Sequence, residues 1–152
     1  MEIREYLPSD CNEMAELFHR TVHSVNIRDY TKEQIDAWAS GDLDLDVWNR
    51  SFLEHDTLVA IAGSMIVGFG DMDKSGYLDR LFVHKDHQRK GIAEALCNQL
   101  ESRNSSRCFT THASITAKPF FEKRGYQVIK EQSVERRGVF FKNYVMEKNI
   151  RW

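Results

Sequence analysis

The sequence is poor in cysteine and proline and has no long apolar run. It contains 152 residues, of which three are cysteine and two are proline. Cys11, Cys97 and Cys108 are odd in number, widely spaced and without a CxxC pair, so neither a disulfide framework nor a zinc knuckle is expected. Reduced thiols in a cytoplasmic protein are the prediction. No apolar stretch reaches the length of a membrane span, and the first ten residues lack a signal-peptide core, so no membrane partner is expected.

An excess of basic charge is also missing. Lys and Arg number 21 against 23 Asp and Glu, which gives a formal net charge of −2. Binding a phosphate backbone needs a basic face, so nucleic acid is not expected as a partner. Hydrophobic residues make up 41% and charged residues 29%, values typical of a globular protein. The length predicts one domain over residues 1–152, and both a monomer and a homodimer remain open.

Strands and helices are mixed along the sequence. The patterns predict a strand at 2–6, helices at about 8–25 and 31–39, three strands within 57–83, a helix at about 91–102, a strand at 107–114, a short helix before Gly125, and two strands around Arg137 and Gly138. The acidic segment 41–56 is interpreted as a loop that leads into one more helical turn. Capping boxes are predicted at Asp10 with Glu13 and at Thr31 with Gln34. This order predicts a mixed α/β protein with one sheet.

The stretch HQRKGIAEAL, residues 87–96, joins a predicted strand to a predicted helix without an ordinary N-cap. Four polar or basic residues precede Gly91, and Ser, Thr, Asp and Asn are absent from the cap position. An anion bound to the open N–H groups at the positive helix end would serve as the cap. The alternative is a solvated basic turn before a plain helix. The glycines of residues 63–70 fit neither a P-loop nor a dinucleotide fingerprint, because the required Lys and third Gly are missing.

Residues 77–96 resemble the central motif of the GCN5-related N-acetyltransferases, the GNAT family. That motif is [QR]-x-x-G-x-[GA] after a strand ending in LxV, and here Gln88–Ala93 follow Leu81–Val83. Residues 114–128 resemble the later family motif N-x-x-A-x-x-F-Y-x-x-x-G-[FY], with Ser114, Ala117, Phe120, Phe121, Gly125 and Tyr126 at its positions. The resemblance covers nearly the whole chain. It implies the GNAT fold, a twisted mixed sheet of about seven strands flanked by about four helices and splayed in the middle.

The resemblance also implies acetyl-CoA as co-substrate, lying between the strand at 77–83 and the strand at 108–113. The pantetheine arm then pairs with the main chain of the first strand, and the amides of residues 88–93 hold the pyrophosphate. The implied cofactor-binding residues are Leu81, Phe82, Val83, Gln88, Arg89, Lys90, Gly91, Ile92, Ala93, Ser114, Ala117 and Phe121. The amide of Val83 is implied to hold the oxyanion.

Two residues depart from the family pattern. Phe121 stands where many members have a tyrosine that protonates the leaving thiolate, and Ser114 stands where many have Asn. A thiol has a pKa of about 8.5, so a thiolate leaves at little cost, unaided or with help from Ser114. Tyr126 and Tyr144 remain possible acids. Phe121 is expected to pack on the pantetheine arm.

The acceptor amine needs a base, because only the neutral amine attacks. Asp79 is the candidate, and strand alternation predicts that it shares a face with Leu81 and Val83. The alternatives are an ion pair with Arg80 or Lys85 and a plain solvated strand residue.

His23, Tyr30 and His112 are further candidates for the acceptor site, with core packing as the alternative, which is favoured for His112. His19 and His23 have the i, i+4 spacing of a zinc helix. Arg20 replaces the required Glu and a third ligand is not evident, so no metal is expected.

The sequence therefore predicts an N-acetyltransferase that transfers acetyl directly from acetyl-CoA to a primary amine of a small molecule or peptide. Two alternatives remain, a catalytically silent acyl-CoA-binding module and a phosphate-binding structural domain unrelated to CoA. The identity of the acceptor is not encoded in any readable motif.

Overall fold

The computed structural model describes residues 1–150 and contains one seven-stranded mixed sheet. The strands are β1 (Glu2–Glu5), β2 (Asp56–Ala62), β3 (Met65–Met72), β4 (Tyr77–Val83), β5 (Cys108–Ser114), β6 (Gln127–Arg136) and β7 (Val139–Asn149). Their order across the sheet is β1-β2-β3-β4-β5-β7-β6. Neighbouring strands are antiparallel except β4 and β5, which are parallel. The predicted fold class and sheet are confirmed.

Five α-helices accompany the sheet, one more than expected. They are α1 (Cys11–Ser24), α2 (Lys32–Trp38), α3 (Leu45–Glu54), α4 (Ile92–Ser102) and α5 (Lys118–Lys123). The additional helix is α3, which occupies the acidic segment interpreted as a loop with one helical turn. Asp44 makes this helix possible, because its carboxylate accepts hydrogen bonds from the backbone N–H groups of Asp46 and Val47. None of the helices in residues 1–150 is long and apolar enough to cross a membrane.

The two predicted capping boxes have different outcomes. The Thr31–Gln34 box is present at the start of α2. The Asp10–Glu13 box is wrong, because Asp10 accepts from the backbone N–H of Leu7 and from the Arg4 guanidinium instead. Glu13 Oε2 accepts from the backbone N–H of Ile66 at 2.7 Å. Glu13 thus ties α1 to the β2–β3 hairpin.

Each face of the sheet has its own core. On one face α4 and α5 cover a layer that includes Leu58, Leu78, Leu96, Leu100 and Met146. On the other face α1, α2 and α3 cover a layer that includes Met14, Phe18, Ile35, Phe52 and Phe69. We call these the α4–α5 layer and the α1–α3 layer.

Two glycines of β3 let α4 lie close to the sheet. A Cβ at Gly68 would come within 2.9 Å of Ile92 Cγ2, and one at Gly70 within 3.2 Å of Leu100 Cδ1. Any larger side chain at Gly68 would push Ile92, the first residue of α4, away from the sheet. The glycines therefore help to fix the position of the α4 N-terminus.

A buried carboxylate links α4 to the C-terminal half of the chain. Glu101 accepts hydrogen bonds from Arg124 Nε at 3.0 Å, Tyr126 OH at 2.9 Å and Lys148 Nζ at 2.6 Å. Burial opposes ionisation of Glu101, but these three donors outweigh it and hold the pKa of the carboxyl below its usual range. The ionised carboxylate is therefore the form that the folded protein favours.

Replacing Glu101 by Leu is expected to lower the free energy of unfolding by about 3 kcal/mol, because it leaves two largely buried cations, Arg124 and Lys148, without a counter-charge. A lowered carboxyl pKa stabilises the fold above the unfolded value, and this contribution is lost as pH falls through the folded value. Urea titrations at neutral and acidic pH measure both effects. Asp36→Asn, which breaks an exposed pair with Lys32, is the control and should lower the free energy of unfolding far less than Glu101→Leu. Equal losses in the two variants would contradict this account.

Candidate active site

The sheet opens between β4 and β5. These parallel strands are paired only at Tyr77 with Thr110 and at Leu78 with Thr111. The same offset would place Ser114 opposite Leu81, but the pairing does not extend that far in the described chain. The strands therefore diverge over the second half of β4, which is the splay that the family resemblance implied.

The main chain of β4 points into this opening. His84 N donates to Val67 O at 2.8 Å, which makes Gly68 and Val83 a non-hydrogen-bonded pair of the antiparallel β3–β4 ladder. The N–H and C=O of Val83 consequently point away from β3, and those of Leu81, two residues earlier, do the same. These groups are placed to pair with an extended ligand as an added strand would.

Side chains already occupy the Val83 carbonyl. It accepts from Gln88 Nε2 at 2.6 Å and from Thr21 Oγ1 at 3.2 Å. The Gln88 side chain thus folds back onto the end of β4 and closes the loop that leads to α4. Of the two polar main-chain groups of Val83, the N–H therefore remains to face the opening. It is the predicted oxyanion donor.

The loop before α4 is shaped for an anion. Gly91 is the N-cap residue, has φ of +80° and provides no side-chain cap, and Arg89 is also left-handed with φ of +61°. Nothing lies within 4 Å of the position that a Cβ at Gly91 would take. An open cradle of backbone N–H groups at the positive end of an eleven-residue helix fits a pyrophosphate. The Ile92 side chain is buried, so the helix start itself is firmly packed.

The residues of the later family motif lie beside the opening. Ser114 Oγ accepts from the backbone N–H of Ala117 at 3.1 Å, which leaves the Ser114 hydroxyl proton available. Phe121 is 3% exposed, and its ring packs against Phe120 and Tyr126 in the α4–α5 layer. That Phe121 packs on a bound pantetheine arm remains a prediction.

The two substitute tyrosines are in different situations. The Tyr126 hydroxyl is committed to Glu101, and burial together with that carboxylate raises the pKa of Tyr126 above its usual range. Tyr126 is therefore poorly placed to protonate a thiolate. Tyr144 is half-buried on β7 beside Ala113, and its ring lies 4.9 Å from Lys118 Nζ. Tyr144 is therefore the better candidate of the two for the general acid.

A β-bulge changes the orientation predicted for Asp79. Asp71 pairs with Arg80 and Met72 pairs with Leu78, so Asp79 is the extra residue of β4. Leu78, Leu81 and Val83 all pack in the α4–α5 layer. The Asp79 carboxylate instead lies 3.6 Å from Arg80 Nη1, on the opposite face. The prediction that Asp79 shares a face with Leu81 and Val83 is wrong, since strand alternation cannot reveal a bulge.

A charged network that the sequence analysis missed lies next to Asp79. The fully buried Asp71 accepts from Arg80 Nη1 and from His55 Nδ1, the latter at 2.8 Å. Burial raises the pKa of Asp71, and the hydrogen bond to Asp71 raises the pKa of His55. Arg80 also lies 4.7 Å above the Phe52 ring. These residues are 9 to 25 positions apart and match no motif, so the pairing of the strands, rather than their spacing, brings them together.

Ligand atoms of His55, Asp71 and Asp79 lie within 4.8 Å of one another, a spacing that a metal ion could span. Here the Arg80 guanidinium already supplies the counter-charge for the buried Asp71.

A small cavity of about 50 Å³ lies on the α1–α3 side of the opening. We call it the inner cavity, and it is lined by Tyr30, Trp38, His112, Ser114, Val134, Arg136, Phe141 and Asn143. The predicted site residues Tyr30, His112 and Ser114 therefore come together. Next to it, the Tyr77 and His112 rings make an edge-to-face contact with centroids 5.3 Å apart, and burial together with the Asp79 charge raises the pKa of Tyr77 to about 12.

Two acceptor-site candidates have structural partners. His23 does not line the inner cavity, and its Nε2 lies 2.8 Å from Ala39 O at the end of α2. The Tyr30 hydroxyl donates to Lys142 O and accepts from Ile115 N, both at 2.9 Å. Its ring lines the cavity while its hydroxyl holds β7 to the end of β5.

Comparison with known proteins decides the family. Residues 26–148 match the family described as "Acetyltransferase (GNAT) domain". The chain belongs to the GNAT family. The resemblance seen in its two motifs is thereby confirmed, and with it the prediction that the protein is an acetyltransferase.

Several GNAT proteins are similar over nearly the whole chain. The protein named "Uncharacterized N-acetyltransferase YafP" of Escherichia coli (strain K12) is 38% identical over 146 residues, 96% of this chain and 94% of that protein. A GCN5-related N-acetyltransferase structure from Rhodopseudomonas palustris has a TM-score of 0.94 and 30% identity, covering 98% of this chain and 95% of that one. The PaiA N-acetyltransferase of Thermoplasma acidophilum, solved with coenzyme A, has a TM-score of 0.79 at 18% identity, covering 97% and 98%. That last similarity supports the fold alone.

Proposed function

We propose that this GNAT protein transfers an acetyl group from acetyl-CoA directly to a primary amine of a small molecule or peptide. The main support for the proposal is that two structural features follow one another along the chain. The outward main chain of Leu81 and Val83 leads into the uncapped N-terminus of α4 at Gly91. Acetyl-CoA has an extended pantetheine arm that ends in a pyrophosphate. The arm matches the outward main chain of β4, and the pyrophosphate matches the cradle before α4.

Residues on the α4–α5 side would hold the co-substrate. The amides of residues 88–93 would bind the pyrophosphate, and Arg89 and Lys90 would attract it. Leu81 and Val83 would pair with the pantetheine arm, and the Val83 N–H would stabilise negative charge on the thioester oxygen. When bound, acetyl-CoA supplies a thioester, whose leaving group is a stable thiolate.

The acceptor amine would approach from the α1–α3 side. A free alkylammonium has a pKa of about 10.4, so it must lose a proton before it attacks. Asp79 is proposed to take that proton, directly or through water. Arg136 lines the inner cavity, so its positive charge favours the neutral amine there over the ammonium. His112 is the alternative proton acceptor.

The cysteines support direct transfer rather than an acyl-enzyme. Cys11 and Cys97 are buried, and burial raises the pKa of Cys97 to about 12, so its thiolate is scarce at neutral pH. Neither these residues nor the half-buried Cys108 lines the inner cavity. Three free thiols also fit the cytoplasmic location expected from the sequence.

Whether a general acid protonates the leaving thiolate is tested by measuring kcat as a function of pH. If thiolate leaves unaided, kcat rises as the base and the amine deprotonate and does not fall again near pH 10. Phe121→Tyr should leave this profile unchanged, and Tyr126→Phe should change stability but not the profile. An alkaline limb in the wild type that disappears in Tyr144→Phe would contradict unaided departure and would identify Tyr144 as the acid.

A thiol-release screen tests the function itself. Acetyl-CoA is incubated with the protein and with amines, amino acids, polyamines, aminoglycosides and lysine peptides, and CoA release is followed together with the mass of the product. Release that requires both protein and amine supports the proposal. Tight acetyl-CoA binding without release across the panel would favour a catalytically silent binding module. Failure of CoA to raise the melting temperature would favour a phosphate-binding domain unrelated to CoA.

A further inference from the structure

Two spaces lie on the acceptor side of the sheet. One is the inner cavity beside His112 and Ser114. The other, which we call the outer groove, has a volume of about 840 Å³ and runs between α1, the α2–α3 loop and the β6–β7 turn. Among residues 1–150, Trp38 alone lines both spaces. A molecule extending from one space to the other must therefore pass this indole.

The indole of Trp38 is held in place on several sides. Its ring centroid lies 5.6 Å from that of Tyr30, 6.3 Å from that of Phe141 and 6.4 Å from that of Phe82. Trp38 is also the last residue of α2, whose backbone fixes the start of the side chain. A ring packed in this way acts as a rigid wall, because aromatic side chains have few rotamers and lose much packing when they move.

Asn143, one of the residues around the inner cavity, has a buried acceptor atom with no partner among residues 1–150. This atom is the side-chain Oδ1. Buried polar atoms are nearly always hydrogen-bonded, so a donor from a ligand or a water is expected there. A volume of about 50 Å³ accommodates roughly two water-sized groups, such as an amino group and the carbon next to it.

We propose that Trp38 determines acceptor specificity by restricting the inner cavity to an amino group on an unbranched carbon. Asn143 Oδ1 accepts a hydrogen bond from the amine N–H, and the tail passes Trp38 into the outer groove. The groove lining combines Phe18, Trp38 and Trp48 with charged residues that include Glu16, Asp42 and Arg137, so the part of the tail that packs on these rings is apolar or aromatic. The acceptor class is thus a primary alkylamine or arylalkylamine with a CH₂ next to nitrogen. This inference rests on the proposed function.

The test compares kcat/KM for three matched probes, 2-phenylethylamine, its N-methyl derivative and its α-methyl derivative. Spermidine and a lysine peptide represent other amine classes. A single extra methyl group in a tight pocket changes kcat/KM by roughly 10- to 200-fold, so the wild type should reject both derivatives by at least about tenfold. Trp38→Ala should remove most of this discrimination, and Trp38→Phe, which keeps a ring, should reduce it. Trp48 lines only the outer groove, so Trp48→Phe should leave the ratios as in the wild type.

Asn143 provides a second test of the proposal that does not depend on Trp38. Asn143→Ala should raise KM for 2-phenylethylamine several-fold without changing KM for acetyl-CoA, because the hydrogen bond lost is made only to the amine.

If Trp38→Phe and Trp38→Ala are active and their kcat/KM ratios between the probes equal those of the wild type, the role of Trp38 is overturned. The proposed function would remain intact. A wild type that prefers spermidine or the lysine peptide would overturn the acceptor class. Absence of CoA release with every amine in the wild type would contradict the proposed function itself, and this inference with it.

Discussion

Replacing Gly91 by glutamate is expected to weaken acetyl-CoA binding by at least about a hundredfold while the fold survives. The new carboxylate would stand in the open cradle before α4, and placing like charges side by side costs several kcal/mol, with each 1.4 kcal/mol worth a factor of ten. The free protein has room for the side chain, since nothing lies within 4 Å of its Cβ. Calorimetric titration with acetyl-CoA measures the effect.

Gly138→Glu is the matched control for this variant. Gly138 has φ of +77°, close to that of Gly91, and its Cβ would also meet nothing within 4 Å. Both variants should therefore lose about 1–2 kcal/mol of stability from left-handed strain. Only Gly91→Glu should lose affinity for acetyl-CoA. Wild-type affinity in Gly91→Glu would mean that this loop does not hold the pyrophosphate.

Asp79→Asn is expected to lower kcat by roughly a hundredfold at neutral pH, the usual scale of a lost general base, with little change in acetyl-CoA affinity. The defect should shrink as pH rises, because the amine then deprotonates without help. Initial rates from neutral to alkaline pH measure both effects. Asp79 is one-third exposed and 3.6 Å from Arg80 Nη1, so removing its charge should cost at most about 1 kcal/mol of stability.

His112→Gln is the comparison for Asp79→Asn. His112 lines the inner cavity and makes an edge-to-face contact with Tyr77, so it is the alternative group that could accept the amine proton. If Asp79 is the base, His112→Gln should retain the wild-type pH profile apart from a change in KM for the amine. An unchanged neutral rate in Asp79→Asn together with a large loss in His112→Gln would move the base to His112.

Local signals predicted most of the fold. The limits of β4 agree with the predicted strand at 77–83, and α4 begins directly after Gly91 as the missing cap indicated. The turns at Gly63 and Gly138 have the left-handed backbone that their glycines suggested. The helix content of the acidic segment 41–56 was underestimated because scattered Asp residues are typical of loops. In the structure, Asp44 caps a ten-residue helix.

The acceptor side was much less predictable. The bulge at Asp79 depends on how β3 and β4 pair, and a single strand does not reveal such a register shift. The His55–Asp71–Arg80 network depends on how β3 and β4 pair, and the inner cavity combines residues from several distant elements. No spacing within the sequence encodes them. The co-substrate side was easier to predict, because a strand, a loop and a helix adjacent in sequence form it.

Hydrogen–deuterium exchange of backbone amides, with and without acetyl-CoA, is the most direct test that the co-substrate lies between β4 and β5. The amides of Leu81 and Val83 and of residues 88–93 should be protected, since these N–H groups become hydrogen-bonded to the ligand. Exchange in β6, at the far edge of the sheet, should not change. Protection confined to the outer groove, or none at residues 81–93 at saturating acetyl-CoA, would contradict the account.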